Sequence, residues 1–447
     1  MTRKVDAYSL VKDSYELYGS KVNSFRALPD IRDGLKTVQR RTLLSAQDNK
    51  ATSKIVKSAV VVSGTTGRYH PHGESSVYDT LVRMVRHQSS PFIPQGNFGL
   101  RSYIEAPAAA MRYTGVQLSP LSKSVYLRYR DWAPHFKNEL DNDEPEYLPT
   151  PIPYCLLNGS LGIGLSVRTH IPPIRSSDLI RAATNILQGK RYNNLKPEPP
   201  GRCGWIDIDY DNLYSLNYNG YGTATVGADV KWEYDNSEES EVIAVYDAPE
   251  GVSYGRIQAV LERDNLLSDG AVRIRNASTD RTRILISRTK RSRRVSEDSL
   301  FDLVKQAMTK KISYSCIVSD NGVAKRMGIR YMMEYAVGLV SESHKANLED
   351  QLKDLEFENK YCKVRSDLAS MLMNNMTYND IARSVVMVKN SVSEDDISRM
   401  CRRSLSSLSK SEIDSDDIES KISQIRDRMS DVSASYLKSD FSEIRID

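Results

Sequence analysis

The segment GRYHPHGESS, residues 67–76, constrains the fold most, because its centre cannot be helical. Pro71 pushes the residue before it towards extended geometry, and Gly73 permits a sharp turn. A helix is predicted from about Ser75, since apolar residues then recur at helical spacing, at Val77, Leu81, Met84 and Val85. Another helix is predicted from about Val38. Two helices with a basic loop before the second are typical of a helix-turn-helix unit, whose second helix commonly enters a DNA major groove.

One tyrosine, Tyr113, follows an arginine and a run of small residues in AAAMRYT, residues 108–114. A phenol is a poor nucleophile at neutral pH, because its pKa is about 10. The neighbouring Arg112 favours the phenolate and stabilises negative charge on a phosphate. The pair therefore suits phosphoryl transfer through a covalent tyrosine intermediate. The chain has 25 tyrosines, most of which should be structural, so this interpretation depends on the other segments.

Length and composition leave nucleic-acid binding open without requiring it. A chain of 447 residues predicts two to four domains, and 40% hydrophobic with 27% charged residues is ordinary for a soluble protein. The net charge is only +4, so local clusters of charge must carry the argument. The five cysteines form no CxxC pair, which disfavours zinc sites and a disulfide framework. No apolar run reaches membrane-spanning length and no signal peptide is visible, so a cytoplasmic protein is expected.

Three other segments before residue 175 carry structural predictions. Residues 1–25 are predicted to be a helix with a rough apolar face, formed by Tyr8, Leu10, Val11, Tyr15 and Leu17. The acidic stretch 138–146, NELDNDEPE, is predicted to be a surface linker and a subdomain boundary. The run around Leu156 and Leu157 is predicted to be a buried strand, followed by glycines in a tight connection.

Residues 175–330 have an α/β pattern, with a helix at about 177–188. Strands are expected near residues 204–208, 223–226, 241–246 and 283–286. In DIDYD, Asp207, Asp209 and Asp211 would share one strand face and could hold magnesium, but a solvent-facing edge is favoured. In that alternative Ile206, Ile208 and Tyr210 pack inside. The basic stretch Arg288–Arg294 is either a phosphate-contacting patch or a solvated loop.

The last third of the chain has a helical pattern. Two segments carry apolar residues at alternating spacings of three and four, from Leu348 to Cys362 and from Ile418 to Tyr436. About fifty residues separate them, which indicates a long antiparallel coiled coil. Residues 363–412 would form short helices at its end, used either as a dimer contact or as an intramolecular bundle.

Four sequence blocks occur in order: RALPDIRDGLKTVQRR, GRYHPHGESSVYDTLVRM, QGNFG…AAAMRYT and LLNGSLGIGLSVRTHIPP. Together they resemble the breakage–reunion core of type IIA DNA topoisomerases. The relatives implied are the DNA gyrase A subunit, the topoisomerase IV cleavage subunit and the medium subunit of T-even-type phage topoisomerases. The resemblance is specific over residues 26–173 and weak over 200–330. Towards the C-terminus the resemblance consists only of the chain length and the coiled-coil pattern.

The resemblance implies an α+β multidomain fold. Residues 1–147 would be an N-terminal helix and a winged-helix DNA-cleavage domain with the catalytic tyrosine. Residues 148–330 would be an α/β tower domain. Residues 331–447 would be the antiparallel coiled coil with a helical dimerisation gate at about 363–412.

The resemblance also implies roles for individual residues. Tyr113 matches the tyrosine that becomes linked to the 5′ end of broken DNA, and Arg112 matches the arginine that stabilises the transition state. Arg26 matches an arginine near the scissile phosphate. His70 and His72 match loop histidines facing the cut phosphodiester, and of these His72 is expected to be catalytic.

Further matches concern DNA binding. Ile163 matches an isoleucine that wedges between bases and bends the duplex, at a cost of about a few kcal/mol of unstacking. Arg168 departs from the family's small residues and is expected to add a phosphate contact. The remaining DNA-binding residues implied are Lys36, Arg40, Arg41, Ser75 and Asp79. Gln39 replaces the usual histidine of the first block, Thr37 its usual proline, and Gly115 an acidic residue after the Tyr-Thr. These departures affect expectations for drug response and fine DNA contacts.

The sequence contains neither a nucleotide-binding motif nor the family's acidic metal-binding pattern, so no metal ligand is predicted on this chain. A separate ATPase and metal-binding subunit is expected to supply ATP hydrolysis and Mg²⁺. The other expected partners are double-stranded DNA and a second copy of the chain. The end of the sequence after the coiled coil leads us to expect relaxation and decatenation, in a layout like that of the phage protein. Nucleoid association is expected, or host cytoplasm for a phage protein. The alternative is a non-catalytic DNA-bending protein on the same scaffold.

Overall fold

The structure is a computed structural model of the chain. It describes residues 7–100, 107–200, 203–237, 239–249, 251–279, 282–289, 296–374, 380–381, 392–401 and 415–439. Two compact units are present, one within residues 1–340 and one within residues 341–442. No helix in these described ranges is long and apolar enough to cross a membrane.

The first unit begins with helices that pack around a small sheet. Helix α1 (Ala7–Val22) continues into a π-helical turn (Asn23–Ala27). The next elements are α2 (Thr37–Asp48), β1 (Val56–Lys57), α3 (Ser58–Arg68), α4 (Glu74–Arg86), β2 (Phe92–Gln95) and β3 (Gly115–Leu118). Strand β3 lies between β1 and β2 and is antiparallel to both. Helices α2, α3 and α4 pack against one another, and the predicted buried face of α4 is confirmed.

Three of the five residues of the predicted apolar face of the N-terminal helix are exposed, and the side chains of Leu10 and Leu17 lie outside the described part of the chain. Tyr8, Val11 and Tyr15 of α1 are all exposed. Helical spacing predicts which residues share a face, but it does not supply a surface for that face to pack against.

Residues 138–146 are not a surface linker. Strands β4 (His135–Lys137) and β5 (Asp143–Pro145) form an antiparallel hairpin. Asn138 and Glu144 are buried within this segment. Acidic composition predicted exposure, but a buried carboxylate is tolerated when a cation and further hydrogen bonds satisfy it. Here the cation is Arg41 of α2, which is 103 residues away in sequence.

Residues 154–158 form a short helix, α5 (Tyr154–Asn158), where a strand was predicted. Leu156 and Leu157 are buried as expected. A short apolar run predicts burial, but it does not distinguish a buried strand from a buried helical turn.

Two antiparallel sheets follow. The five-stranded sheet has the order β6-β7-β14-β9-β8, formed by β6 (Ser160–Ile163), β7 (Arg168–Ile171), β8 (Trp205–Asp207), β9 (Tyr221–Gly227) and β14 (Thr309–Ser315). The four-stranded sheet has the order β10-β11-β13-β12, formed by β10 (Asp229–Asp235), β11 (Ser240–Tyr246), β12 (Val272–Asn276) and β13 (Arg283–Arg288).

Strands β15 (Ile317–Asp320) and β16 (Val323–Arg326) form a hairpin. The associated helices are α6 (Ser176–Leu187), α7 (Tyr210–Asn219), α8 (Gly255–Arg263) and α9 (Glu297–Ala307). The four predicted strands and the helix at 177–188 are confirmed.

The favoured interpretation of DIDYD, a solvent-facing edge, is confirmed in part, because β8 is an edge strand and Asp207, Asp209 and Asp211 are all exposed. Strand β8 ends at Asp207, and Asp209 is the N-cap of α7, where its carboxylate accepts the backbone N–H of Asn212 at 2.8 Å. The three aspartates therefore do not share a strand face. Tyr210 is exposed and does not pack inside. The local preference of aspartate for an N-cap prevails over the alternating pattern. Of the basic stretch Arg288–Arg294, residues 290–294 lie outside the described residues, and Arg288 pairs with Glu297.

The second unit contains a pair of antiparallel helical segments. Helix α10 (Ile329–Met373) contributes most of its length, and α11 (Glu394–Cys401), α12 (Ser415–Ser430) and α13 (Val432–Ser439) follow. Contacts join His344 to Ser435, Glu356 to Arg426 and Asn359 to Glu419. Residue numbers rise along α10 as those of its partners fall, so the segments run in opposite directions. Most of the predicted cap at 363–412 lies outside the described residues.

Candidate active site

The His-Pro-His loop holds two adjacent imidazoles, tilted by 46° to each other, with different environments. The rings of His70 and His72 are 4.4 Å apart between centroids. Burial lowers the pKa of His70 to about 4, so its ring is neutral at pH 7. Nearby positive groups add to this effect, namely His72, Arg41 and Arg26. His72 is exposed, and its Nδ1 donates to the carbonyl of Pro71 at 2.7 Å. Its Nε2 is therefore the ring atom left to face a ligand.

The two adjacent arginines of α2, which the resemblance assigned to DNA binding, are buried. Arg40 donates through Nε to Asp33 at 2.7 Å. Arg41 donates through Nη2 to Glu144 at 2.8 Å, and its Nη1 donates to Nδ1 of His70 at 3.1 Å. Asn138 also donates to Glu144. The histidine loop is thus connected to a buried, charge-assisted network.

Tyr113 lies on an exposed turn after β2 and before β3. Its side chain is 64% exposed, and the guanidinium carbon of Arg112 lies 4.7 Å from its ring centroid. The contact is a cation–π interaction. Gly96 has φ +93°, and a Cβ there would come within 2.9 Å of the carbonyl oxygen of Tyr113. A glycine is therefore required for the β2 end to approach this turn.

Tyr78 of α4 holds the Tyr113 turn, and sequence reasoning missed it. Its hydroxyl donates to the carbonyl of Ala109 at 2.5 Å and lies 3.1 Å from Oγ1 of Thr114. Thr114 is buried and donates to Ser58 at the start of α3. Tyr78 thus contacts both sides of the tyrosine. Sequence spacing gave no signal for this role, because the contacted residues are more than 30 positions away.

The outer face of α4 carries polar residues four positions apart. Ser75, Asp79 and Arg83 are all exposed on this face, opposite the buried apolar residues. Since His72 immediately precedes the N-cap of α4 and Tyr78 supports the Tyr113 turn, this helix connects the histidine loop with the tyrosine.

The hairpin formed by β6 and β7 presents Ile163, which is 78% exposed. Arg168 is its direct partner across the hairpin, so both side chains lie on the same face. Lys36 donates from Nζ to the carbonyl of Leu161 at 2.7 Å. Burial, and secondarily the charge of Arg83, lower the pKa of Lys36 to about 8. This places Lys36, Ile163 and Arg168 in one local region.

The same hairpin is tightly packed on the π-helical turn that carries Arg26. A Cβ on Gly162 would lie 2.0 Å from the carbonyl oxygen of Ala27, far inside van der Waals contact. Asn23 accepts the N–H of Leu165 at 2.8 Å and donates to its carbonyl at 3.1 Å. Arg26 itself is exposed. The structure therefore links the isoleucine hairpin with Arg26 through backbone contacts.

The described residues do not form a magnesium site. No group of three or more His, Cys, Asp or Glu side chains in the described part of the chain is arranged to hold a metal ion. Asp209 is already used as a helix cap.

Comparison with known proteins gives a consistent result. Residues 26–445 match the family of the DNA gyrase/topoisomerase IV A subunit. The DNA gyrase A subunit of Campylobacter jejuni is 43% identical over 195 residues, 42% of this chain and 22% of the relative. That of Lawsonia intracellularis is 36% identical over 257 residues, 54% of this chain and 31% of the relative.

The DNA gyrase A subunit of Borreliella burgdorferi is 28% identical over 398 residues, 85% of this chain and 47% of the relative. The chain thus spans between about a fifth and a half of these relatives' lengths. Because the family match covers almost all of the sequence, the chain belongs to the family of DNA gyrase/topoisomerase IV A subunits.

Proposed function

We propose that this chain is the DNA-cleaving and rejoining subunit of an ATP-dependent type IIA topoisomerase. The observation that carries the proposal is the exposed phenol of Tyr113 under the Arg112 guanidinium, on a turn anchored by α4. An exposed tyrosine with a fixed cation beside it can reach a phosphodiester and can stabilise the charge that develops there.

In the proposed reaction, the Tyr113 oxygen attacks phosphorus and loses its proton. The bond to the 3′ oxygen breaks, and that oxygen takes up a proton as it leaves. The product is a 5′-phosphotyrosine link, which retains the energy of the broken bond. Rejoining is the reverse attack by the 3′ hydroxyl. Arg112 and Arg26 would stabilise the charged phosphate, since positioning and electrostatics dominate phosphoryl transfer.

His72 is proposed to act through Nε2, because its Nδ1 hydrogen is used by the Pro71 carbonyl. Protonated, Nε2 can donate to a phosphate oxygen or to the departing 3′ oxygen. His70 is proposed to orient His72, since it is neutral and held through Arg41. For Arg40 and Arg41 we propose an organising role in place of direct backbone contact, because their guanidinium groups are buried against carboxylates.

The DNA-binding surface would consist of the exposed α4 face and the β6–β7 hairpin. Ile163 would enter a base step and bend the duplex. The polar contacts are proposed for Lys36, Ser75, Asp79 and Arg168. The order helix, strand, two helices and two strands over residues 37–118 supports a winged-helix assignment for this part.

We propose that residues 148–330 form the tower domain. The antiparallel helices of the second unit support the coiled-coil proposal, with a homodimer gate at about 363–412. Mg²⁺ and ATP are proposed to bind a separate ATPase and metal-binding subunit. Two copies of Tyr113 would then make staggered cuts through which a second duplex passes, giving relaxation and decatenation.

A Tyr113→Phe variant tests the proposal. The full chain with its ATPase and metal-binding subunit is incubated with supercoiled plasmid and ATP, and detergent traps protein-linked DNA. We expect loss of both the covalent complex and relaxation, because phenylalanine has no nucleophilic oxygen. Tyr234→Phe is the matched control, since Tyr234 is also largely exposed. Relaxation by Tyr113→Phe would contradict the mechanism. DNA bending without a covalent complex in the unaltered protein would support the alternative of a bending protein.

A further inference from the structure

The β6–β7 hairpin exposes a second apolar side chain beside Ile163. Leu161 is 48% exposed, Ile163 is 78% exposed, and Gly162 between them is buried. Residues two apart on a strand project from the same face. Leu161 and Ile163 therefore stand side by side, about 6.7 Å apart along the strand. Exposed apolar residues that cluster in this way mark a binding surface more strongly than single ones do.

The backbone beneath these side chains is held rigidly. Gly162 lies against the Ala27 carbonyl with no room for a Cβ, and a Cβ on Gly164 would lie 2.1 Å from Oδ1 of Asn23. The Lys36 ammonium donates to the carbonyl of Leu161 itself. These contacts fix both side chains outward before any ligand arrives, so little conformational entropy is lost on binding.

The surroundings of the apolar pair are basic. Arg168 lies opposite Ile163 on the same face of the hairpin. The Lys36 ammonium adjoins the Leu161 carbonyl, and Arg83 is close enough to lower its pKa. An apolar centre with a cationic rim complements duplex DNA, whose base stack is apolar and whose edges carry phosphates. It does not complement a basic surface, which the cationic rim would repel, or a purely apolar surface.

We propose that Leu161 and Ile163 form a two-residue wedge for duplex DNA. Ile163, the more exposed residue, enters the opened base step, and Leu161 packs on the sugar edges next to it in the minor groove. The spacing of about 6.7 Å matches roughly two base-pair rises of 3.4 Å. Leu161 is thus a positioning residue that sets how far the duplex bends. This proposal rests on the proposed DNA-cleaving function.

The test measures bending and affinity on a short duplex labelled with a fluorophore at each end, using the full chain. The variants are Leu161→Ala, Ile163→Ala and the double variant, with Val323→Ala as a matched exposed apolar control on β16. Leu161→Ala should weaken binding by about tenfold, or about 1.4 kcal/mol, and reduce energy transfer between the ends, since apolar burial against the DNA is lost. The control should change neither quantity. Thermal unfolding should be unaffected in all variants, because the altered side chains are exposed.

The outcomes separate this proposal from the proposed function. Ile163→Ala reducing the bend while Leu161→Ala leaves bend and affinity unchanged would overturn the two-residue wedge and leave the cleavage proposal intact. Loss of bending in Leu161→Ala, together with relaxation by Tyr113→Phe, would support the wedge and contradict the cleavage mechanism. Unchanged DNA bending with weakened binding of the ATPase partner would overturn the wedge in favour of a protein contact.

Discussion

The histidine loop and the isoleucine hairpin both carry residues that we propose to contact DNA, but the two segments are held by opposite means. The loop is held by buried charged groups, because Arg41 pairs with Glu144 and donates a hydrogen bond to His70. The hairpin is held by close packing of neutral groups. Gly162 has no room for a Cβ, and Asn23 accepts a hydrogen bond from the hairpin backbone. A charged network is most sensitive to the loss of one partner, whereas a close-packed contact is most sensitive to an added atom.

Glu144→Ala should have the largest effect of the changes compared below. Removing the carboxylate leaves the Arg41 charge buried without its partner, which costs about 3–5 kcal/mol in the free energy of unfolding. Denaturant unfolding of the full chain measures this loss. Asp143→Ala is the matched control, because Asp143 is one residue away and solvent-exposed. Equal stability of the two variants would mean that the buried network does not support the loop.

Gly162→Ala should have the next largest effect on stability. It adds one carbon atom, whereas Glu144→Ala removes most of a side chain. Its Cβ would collide with the carbonyl oxygen of Ala27. This is a backbone atom, so a change of side-chain rotamer cannot relieve the clash. We expect a loss of about 1–3 kcal/mol in unfolding free energy, as for overpacked interiors, together with a smaller bend in bound DNA. Gly67→Ala is the control, since nothing lies within 4 Å of a Cβ there. If Gly162→Ala leaves the unfolding free energy unchanged, close packing does not hold the hairpin, and the two segments do not differ in the way described.

Sequence reasoning succeeded where the signal was local. The start of α4 and its buried face follow from periodicity over a few turns. Strands β8, β9, β11 and β13 lie where strands were expected. Ile163 and Tyr113 are both exposed, and the roles that the resemblance implied for them stay predictions.

Sequence reasoning failed where a partner lies far along the chain or where two local signals compete. Glu144 was placed on a linker because its cation, Arg41, is 103 residues away. The sequence around Tyr78 does not indicate its contact with Ala109, which lies 31 residues further along the chain. At Asp209, alternation suggested a strand face, but the side chain caps a helix. Long-range pairing is decided by the assembled fold, so no window of sequence contains it.

Lys36 contacts the hairpin, and its titration should give the smallest of these effects. Its ammonium donates to the carbonyl of Leu161, while burial, and secondarily the charge of Arg83 on α4, lower its pKa to about 8. A DNA phosphate nearby would favour the charged form, so binding should take up a proton near pH 8. Affinity for a short duplex should therefore be highest below pH 8 and fall as pH rises through it, with the salt slope decreasing by about 1. Lys36→Arg, which stays charged throughout, should flatten the profile. Lys325→Arg on β16 should retain it. Because any other group titrating in this range is still present in Lys36→Arg, an unchanged profile in that variant would assign the proton to another residue and remove Lys36 from the contact.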